Sequence, residues 1–140
     1  MFHVLLVEDN PSDVLLIREA IRTSTVPADV MVAYDGAQAM RLLREFQFKP
    51  DVIILDISLP KLGGLEVLGL YDATTDGRSP VVVFTGSNNP DERQRALALG
   101  AREHIVKPNG LEEFMGAVRG AIERWTGSNT RSASAPNTTR

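Results

Sequence analysis

Glu8 and Asp9, Asp56, Thr85 and Lys107 each stand immediately after a short apolar run: residues 3–7, 52–55, 81–84 and 104–106 in turn. Carboxylates crowded together raise one another's pKa unless a cation joins them. Oxygen-only ligation points to Mg²⁺, which commonly takes one or two carboxylates together with waters and phosphate oxygens. A carboxylate can also act as a nucleophile and form an aspartyl phosphate. Such a transfer needs little beyond in-line positioning and neutralisation of the equatorial oxygens, roles open to the cation and to Lys107. Thr85 would donate a hydrogen bond to the transferred group, joined by the backbone N–H of Gly86, whose missing Cβ allows close approach.

Taken singly, most of these residues have a plainer reading. Glu8 and Asp9 suit the entry to a helix through Asn10, Pro11 and Ser12, Thr85 suits a turn, and Lys107 before Pro108 suits a surface lysine lying along its stem. Asp56 resists this, because a carboxylate ending a buried run is costly unless paired or metal-bound. What joins them is the expected sheet. In open parallel α/β sheets ligands bind outside the carboxyl ends of the strands, so residues distant in the chain converge on one edge.

The elements that would do the positioning are legible as Val- and Ile-rich runs alternating with helical periodicity, the pattern of repeated βα units. Strands are expected at about 2–7, 29–33, 51–55, 81–84 and 103–106, nearly continuous in apolar residues as befits strands covered on both faces. Val14, Ile17 and Ile21 line one helical face, and Ala39, Leu43 and Phe46 a second. Leu111, Phe114, Met115, Val118, Ile122 and Trp125 form the clearest buried stripe. Asp35 with Gln38 makes a capping-box pattern, Asn89 before Pro90 an N-cap followed by N1, and Gly100 a helix end. The fold class expected is α/β, a doubly wound five-stranded parallel sheet. Residues 1–125 would form the domain, and 126–140, with no large apolar side chain, a disordered tail.

Composition sets outer limits. The 140 residues suit one domain, and 43% hydrophobic content supplies one core. With 15 basic against 18 acidic residues and a net charge of -3, there is no broad basic surface for nucleic acid. The chain has no cysteine, which removes disulfides, thiol nucleophiles and Cys-ligated metal sites, and fits a reducing compartment. Its opening residues lack a secretory signal's basic start and longer apolar stretch, and no apolar run approaches the roughly 18 residues of a membrane span. A cytoplasmic protein with no membrane partner is the expectation.

In order along the chain, Val-Leu-Leu-Val-Glu-Asp-Asn, Ile-Leu-Asp-Ile-Ser-Leu-Pro-Lys-Leu-Gly-Gly, Phe-Thr-Gly and Val-Lys-Pro each follow or close a strand. Over about residues 2–125 the chain thereby resembles the receiver domains of two-component response regulators, with their flavodoxin-like (βα)5 fold. The resemblance implies that Asp56 is the phosphoacceptor, that Asp9 binds Mg²⁺ directly and Glu8 through water, and that the Ser58 backbone carbonyl completes the protein ligands. It implies a cis bond between Lys107 and Pro108, and a phosphoryl supply from a sensor histidine kinase or exchange with a histidine phosphotransfer protein. It also implies a signalling switch rather than an enzyme, catalysing only its own phosphorylation and dephosphorylation. Thr85 would act as a switch residue, paired with the position of His104, where many receivers carry Tyr or Phe. A rotating histidine there would add pH sensitivity; an exposed strand-edge histidine is the other reading. Ser58 and Ser87 occupy positions that influence phosphoryl lifetime across the family. The opening Val-Glu-Asp-Asn-Pro-Ser-Asp and the stretch Thr-Asp-Gly-Arg-Ser-Pro resemble stand-alone regulators paired with bacterial phytochromes, which implies a phytochrome-type kinase and a homodimer.

With no output domain visible, the effect would pass through protein binding or phosphorelay, displayed by the fourth helix, fifth strand and fifth helix with Arg95, Arg102, His104 and Arg119 as surface candidates. The competing reading is a haloacid-dehalogenase-like phosphohydrolase, but Ser58 stands where such enzymes need a second Asp. A flavodoxin-like FMN carrier would need a phosphate-binding loop where Glu8 and Asp9 repel phosphate. An inert receiver-like module is disfavoured by the intact set of residues.

Overall fold

The Val- and Ile-rich runs do form strands in the computed structural model, which describes residues 1–127. They are β1 (Phe2–Val7), β2 (Ala28–Ala33), β3 (Val52–Leu55), β4 (Val81–Thr85) and β5 (Glu103–Val106). All pair in parallel in the order β2-β1-β3-β4-β5. The chain steps outward from β1 to β2, then crosses back to β3, so the strand order reverses beside β1. That reversal opens a crevice at the carboxyl ends of β1 and β3.

The period-2 alternation of strand side chains explains why the runs are apolar throughout. Val4, Leu6, Val52, Ile54, Val82 and Phe84 face one side, where α1 (Pro11–Arg22) and α5 (Leu111–Ile122) cover them with Val14, Ile17, Phe114, Val118 and Ile122. Leu5, Val7, Ile53, Leu55, Val81 and Val83 face the other, under α2 (Gly36–Met40), α3 (Gly64–Tyr71) and α4 (Pro90–Ala98). Burial on both faces leaves the strand ends as the only places where the central strands can present polar chemistry.

Several boundaries differ from expectation for identifiable reasons. Asp51 stays out of β3, its amide donating to the His3 carbonyl and its carboxylate accepting from the His3 amide, each at 2.7 Å. Thr85 is the last residue of β4, paired with Val106, rather than the first residue beyond it. After Met40 the helix widens by one residue over Arg41–Glu45, where the Phe46 amide reaches the Arg41 carbonyl. An extra residue in a turn shifts the facing side by about 100°. Leu43 still packs on the core, but Phe46 does not join Ala39 and Leu43; it is 68% exposed.

The caps follow the sequence. Asn10 accepts from the Asp13 amide, Asn89 from the Asp91 amide, and Asp35 from the Gln38 amide. The Gln38 side chain closes back on Tyr34 N–H instead of Asp35, completing the box one residue early. Gly100 follows α4 with φ of +105°, the left-handed geometry a glycine suits. At the far end, a widened turn over Glu123–Gly127 extends α5, with Thr126 buried and its hydroxyl donating to the Ile122 carbonyl. The domain therefore runs at least two residues past the expected boundary at 125; the rest of the expected tail, 128–140, lies outside the described residues. Among the described residues no helix is long and apolar enough to cross a membrane.

Candidate functional site

The backbone ladder continues one residue past both strands that flank the crevice. Glu8 N–H donates to the Ala33 carbonyl and Asp56 N–H to the Val7 carbonyl, each at 3.0 Å. Both carboxylates are thus set by sheet geometry. Glu8 is 1% exposed and Asp56 6%, whereas Asp9, one residue into the loop, is exposed. Lys107 enters from the other side, its amide bonded to the Thr85 carbonyl at 2.7 Å.

Its side chain is the hub of the site. The ammonium lies 2.8 Å from Glu8 Oε1, 3.0 Å from Asp56 Oδ2 and 2.7 Å from Asp13 Oδ2. The remaining oxygens of the buried pair take backbone donors: Asn10 N–H at 3.2 Å on Glu8 Oε2 and Ser58 N–H at 2.9 Å on Asp56 Oδ1. Burial alone would lower the Lys107 pKa, but bonds to Asp13, Glu8 and Asp56 outweigh it and hold the group firmly protonated. Burial raises the Glu8 pKa to about 7, Asp56 adding to the rise and Lys107 opposing it.

Glu8, Asp9 and Asp56 each offer an oxygen, and the three lie within 4.8 Å of one another. An all-oxygen donor set with excess negative charge fits a hard divalent cation, which would relieve the repulsion that one ammonium offsets only in part.

The other expected site residues converge on the same edge. Thr85 is fully buried; its Oγ1 accepts from Ser87 N–H at 3.3 Å, which leaves its own proton free to donate. A Cβ placed on Gly86 would meet no protein atom within 4 Å, so its small size is not needed for packing. Gly86 instead borders an open groove of about 370 Å³ shared with Asp13, Lys107 and Pro108. Gly64 shows the opposite case: its Cβ would stand 2.6 Å from the Asp56 carbonyl oxygen and 2.4 Å from Ile57 Cα, so α3 presses directly on the backbone of Asp56 and Ile57.

Three expectations change. The peptide bond between Lys107 and Pro108 is trans, the isomer an X–Pro bond favours by about 0.5–1 kcal/mol without further constraint. In this form the Lys107 amide and ammonium already make all the contacts described. His104 is not an exposed edge histidine but buried, with neither ring nitrogen hydrogen-bonded. Burial, with Arg93 close by, pushes its pKa below the ordinary histidine value and favours the neutral ring. Among the surface candidates Arg95 and Arg102 are exposed, while Arg119 is half-buried and donates to Oγ1 of Thr23, which caps the end of α1. The residue that sequence reasoning missed is Asp13. An acid in the first turn of a helix reads as a partner for the helix dipole, and nothing local announces a lysine 94 positions away.

The family model for the response regulator receiver domain matches residues 4–119. The chain is 34% identical over 128 residues to response regulator Rcp1 of Synechocystis sp., covering 87% of each protein. It is 37% identical over 131 residues to the transcriptional regulatory protein PrrA of Mycobacterium tuberculosis, covering 93% of this chain but 54% of PrrA. The chain thus spans about half the length of such mycobacterial regulators. Among solved structures, the Mn(2+)-bound form of Rcp1 superposes with a TM-score of 0.81 at 32% identity, covering 89% of this chain and 94% of that one. The phosphorylated cyanobacterial phytochrome response regulator RcpA does so with a TM-score of 0.81 at 37% identity, covering 89% and 93%. The chain, a five-stranded parallel sheet with its acidic cluster and lysine at one edge, belongs to the response regulator receiver family.

Proposed function

We propose that this receiver domain is a phosphorylation switch in which Asp56 accepts a phosphoryl group from a histidine kinase or phosphotransfer protein. The observation that carries the reading is the Asp56 carboxylate at the end of β3, 3.0 Å from the Lys107 ammonium and within the three-carboxylate cluster. An Asp56 oxygen attacks phosphorus in line, the donor's P–N bond breaks, and its electron pair leaves on the imidazole nitrogen. Lys107 and the Thr85 hydroxyl then hydrogen-bond the new phosphoryl oxygens, with Gly86 N–H a further donor. Hydrolysis of the acyl phosphate returns the carboxylate and inorganic phosphate.

Glu8, Asp9, Asp56 and the Ser58 carbonyl would hold Mg²⁺, which when bound supplies charge neutralisation at the transferring group. Binding of Mn(2+) by the relative Rcp1 supports a divalent cation here, and the hardness of the all-oxygen set favours magnesium. The added charge of about -1.5 to -2 would draw Thr85 inward, with His104 moving beside it, and alter the surface of α4, β5 and α5. The likeness to Rcp1 and to the phytochrome regulator RcpA supports a phytochrome-type kinase as the donor. We extend the reading to a cytoplasmic switch that forms a homodimer and catalyses only its own modification. The haloacid-dehalogenase alternative has no support in the family match, and Ser58 remains in the place of its second Asp.

The test is incubation with Mg²⁺ and acetyl phosphate, followed by intact-mass measurement. A labile adduct of about 80 Da should form on the unaltered protein and be absent from Asp56→Asn. Undiminished labelling of that variant would move the acceptor elsewhere, and labelling at the same rate without Mg²⁺ would remove the cation's role.

A further inference from the structure

We propose that Asp13 is a positioning residue that tethers Lys107 over Asp56, an inference that rests on the reading of Asp56 as the phosphoacceptor. Lys107 has three N–H donors and three carboxylate partners, and the contact to Asp13, at 2.7 Å, is the shortest. The other two partners, Glu8 and Asp56, belong to the acidic cluster; Asp13 does not. When a cation and a phosphoryl group occupy the site, the oxygens of Glu8 and Asp56 are drawn to new partners, and Asp13 is the counter-charge that keeps its contact.

The tether is anchored. Asp13 sits in the first turn of α1 with its amide held by Asn10 Oδ1 at 3.1 Å, and α1 is locked to the sheet by buried Val14, Ile17 and Ile21. Lys107 by contrast carries a flexible four-carbon stem. Beside it lies the groove of about 370 Å³ bordered by Asp13, Gly86 and Pro108, the volume into which an untethered ammonium would swing. A first-turn acid serving only the helix dipole would not need to meet that ammonium at all.

Two readouts test this on the full chain. In the first, limited acylation with an N-hydroxysuccinimide ester followed by peptide mass spectrometry should show Lys107 becoming several-fold more reactive in Asp13→Asn, with Lys49 and Lys61 unchanged as internal references. In the second, Asp13→Asn should slow labelling of Asp56 by acetyl phosphate about tenfold, while Asp13→Glu restores most of the rate. In a Lys107→Gln background, Asp13→Asn should add no further loss, since the two act through one contact. Unchanged Lys107 reactivity in Asp13→Asn, or losses that multiply in the double variant, would overturn the tether. Labelling at Asp56 that Asp13→Asn leaves untouched sinks the positioning role alone; labelling that survives Asp56→Asn sinks the phosphoacceptor reading instead.

Discussion

The strands begin and end in similar apolar runs, but the two edges of the sheet treat their polar groups differently. At the amino edge, Asp51 bonds the backbone of His3, the Ser79 hydroxyl donates to the Pro50 carbonyl, and Ser79 N–H donates to the Tyr71 hydroxyl. Arg78 lies 5.0 Å from the centre of the Tyr71 ring, and the exposed Arg44, Lys49 and Arg78 border a cavity of about 600 Å³. The charges of Asp51, Arg44, Lys49 and Arg78 there face water or have a neutral partner. At the carboxyl edge, three carboxylates, those of Glu8, Asp13 and Asp56, share one ammonium with Asp9 beside them, and two of the four, Glu8 and Asp56, are buried. The larger hollow is therefore at the edge with little chemistry. What marks the site is the expense of its charges, since buried like charges are retained against stability only where something else requires them.

The sharpest way to break that contrast is to remove one cation from each edge. Lys107→Met, in the absence of divalent cation, should lose about 3–5 kcal/mol of unfolding free energy in urea, because it leaves buried carboxylates without their counter-charge. Arg78→Met should lose less than about 1 kcal/mol, the scale of an exposed cation–π contact. Equal losses would make the two edges energetically alike.

Glycines sharpen the same comparison next. Gly64→Ala drives a Cβ against the Asp56 carbonyl and Ile57 Cα, backbone that cannot rotate away, and should cost about 1–3 kcal/mol in thermal unfolding. Gly69→Ala, on the exposed side of the same helix with open space around its Cβ, should gain about 0.5–1 kcal/mol. Opposite signs within one helix locate the constraint at the backbone of Asp56 and Ile57.

A further expected effect is on pH dependence. Glu8 rises from 4.5 to about 7 in the fold, so the folded state holds the proton more tightly than the unfolded one. Its favourable contribution to stability is complete below the unfolded value and is lost as pH rises through about 7. A cation needs the ionised carboxylate, so Mg²⁺ affinity should fall by up to about tenfold per unit below that pH, about 1.4 kcal/mol. Proton release on binding, measured by calorimetry in buffers of differing ionisation enthalpy, checks it. An affinity flat across this range would class the strand-end acids with ordinary surface carboxylates.

Much of this was readable in advance because it is local. Strand runs, the Asn10 and Asn89 caps and the strand-end positions of Glu8, Asp56 and Lys107 follow from periodicity and from the rule for parallel sheets. Phe46 departs from the face its spacing predicts because one widened turn changes helical phase without any sequence mark. The sequence does not decide between a buried and an exposed His104, because its burial depends on what packs over β5. Asp13 was invisible because its partner arrives from a strand far along the chain.

What the primary structure determined alone is the inventory and the edge: which strand-end residues have the functional groups for such chemistry, and that alternation of apolar runs with helices must deliver them to the carboxyl ends of parallel strands. Only the tertiary structure decided the pairings. Lys107 can choose among several acids because charge attraction is non-directional and long in reach, and the choice is made by the packed positions of β1, β3 and α1. The fold thereby turned a list of compatible charges into one shared ammonium with Asp13 as its third partner.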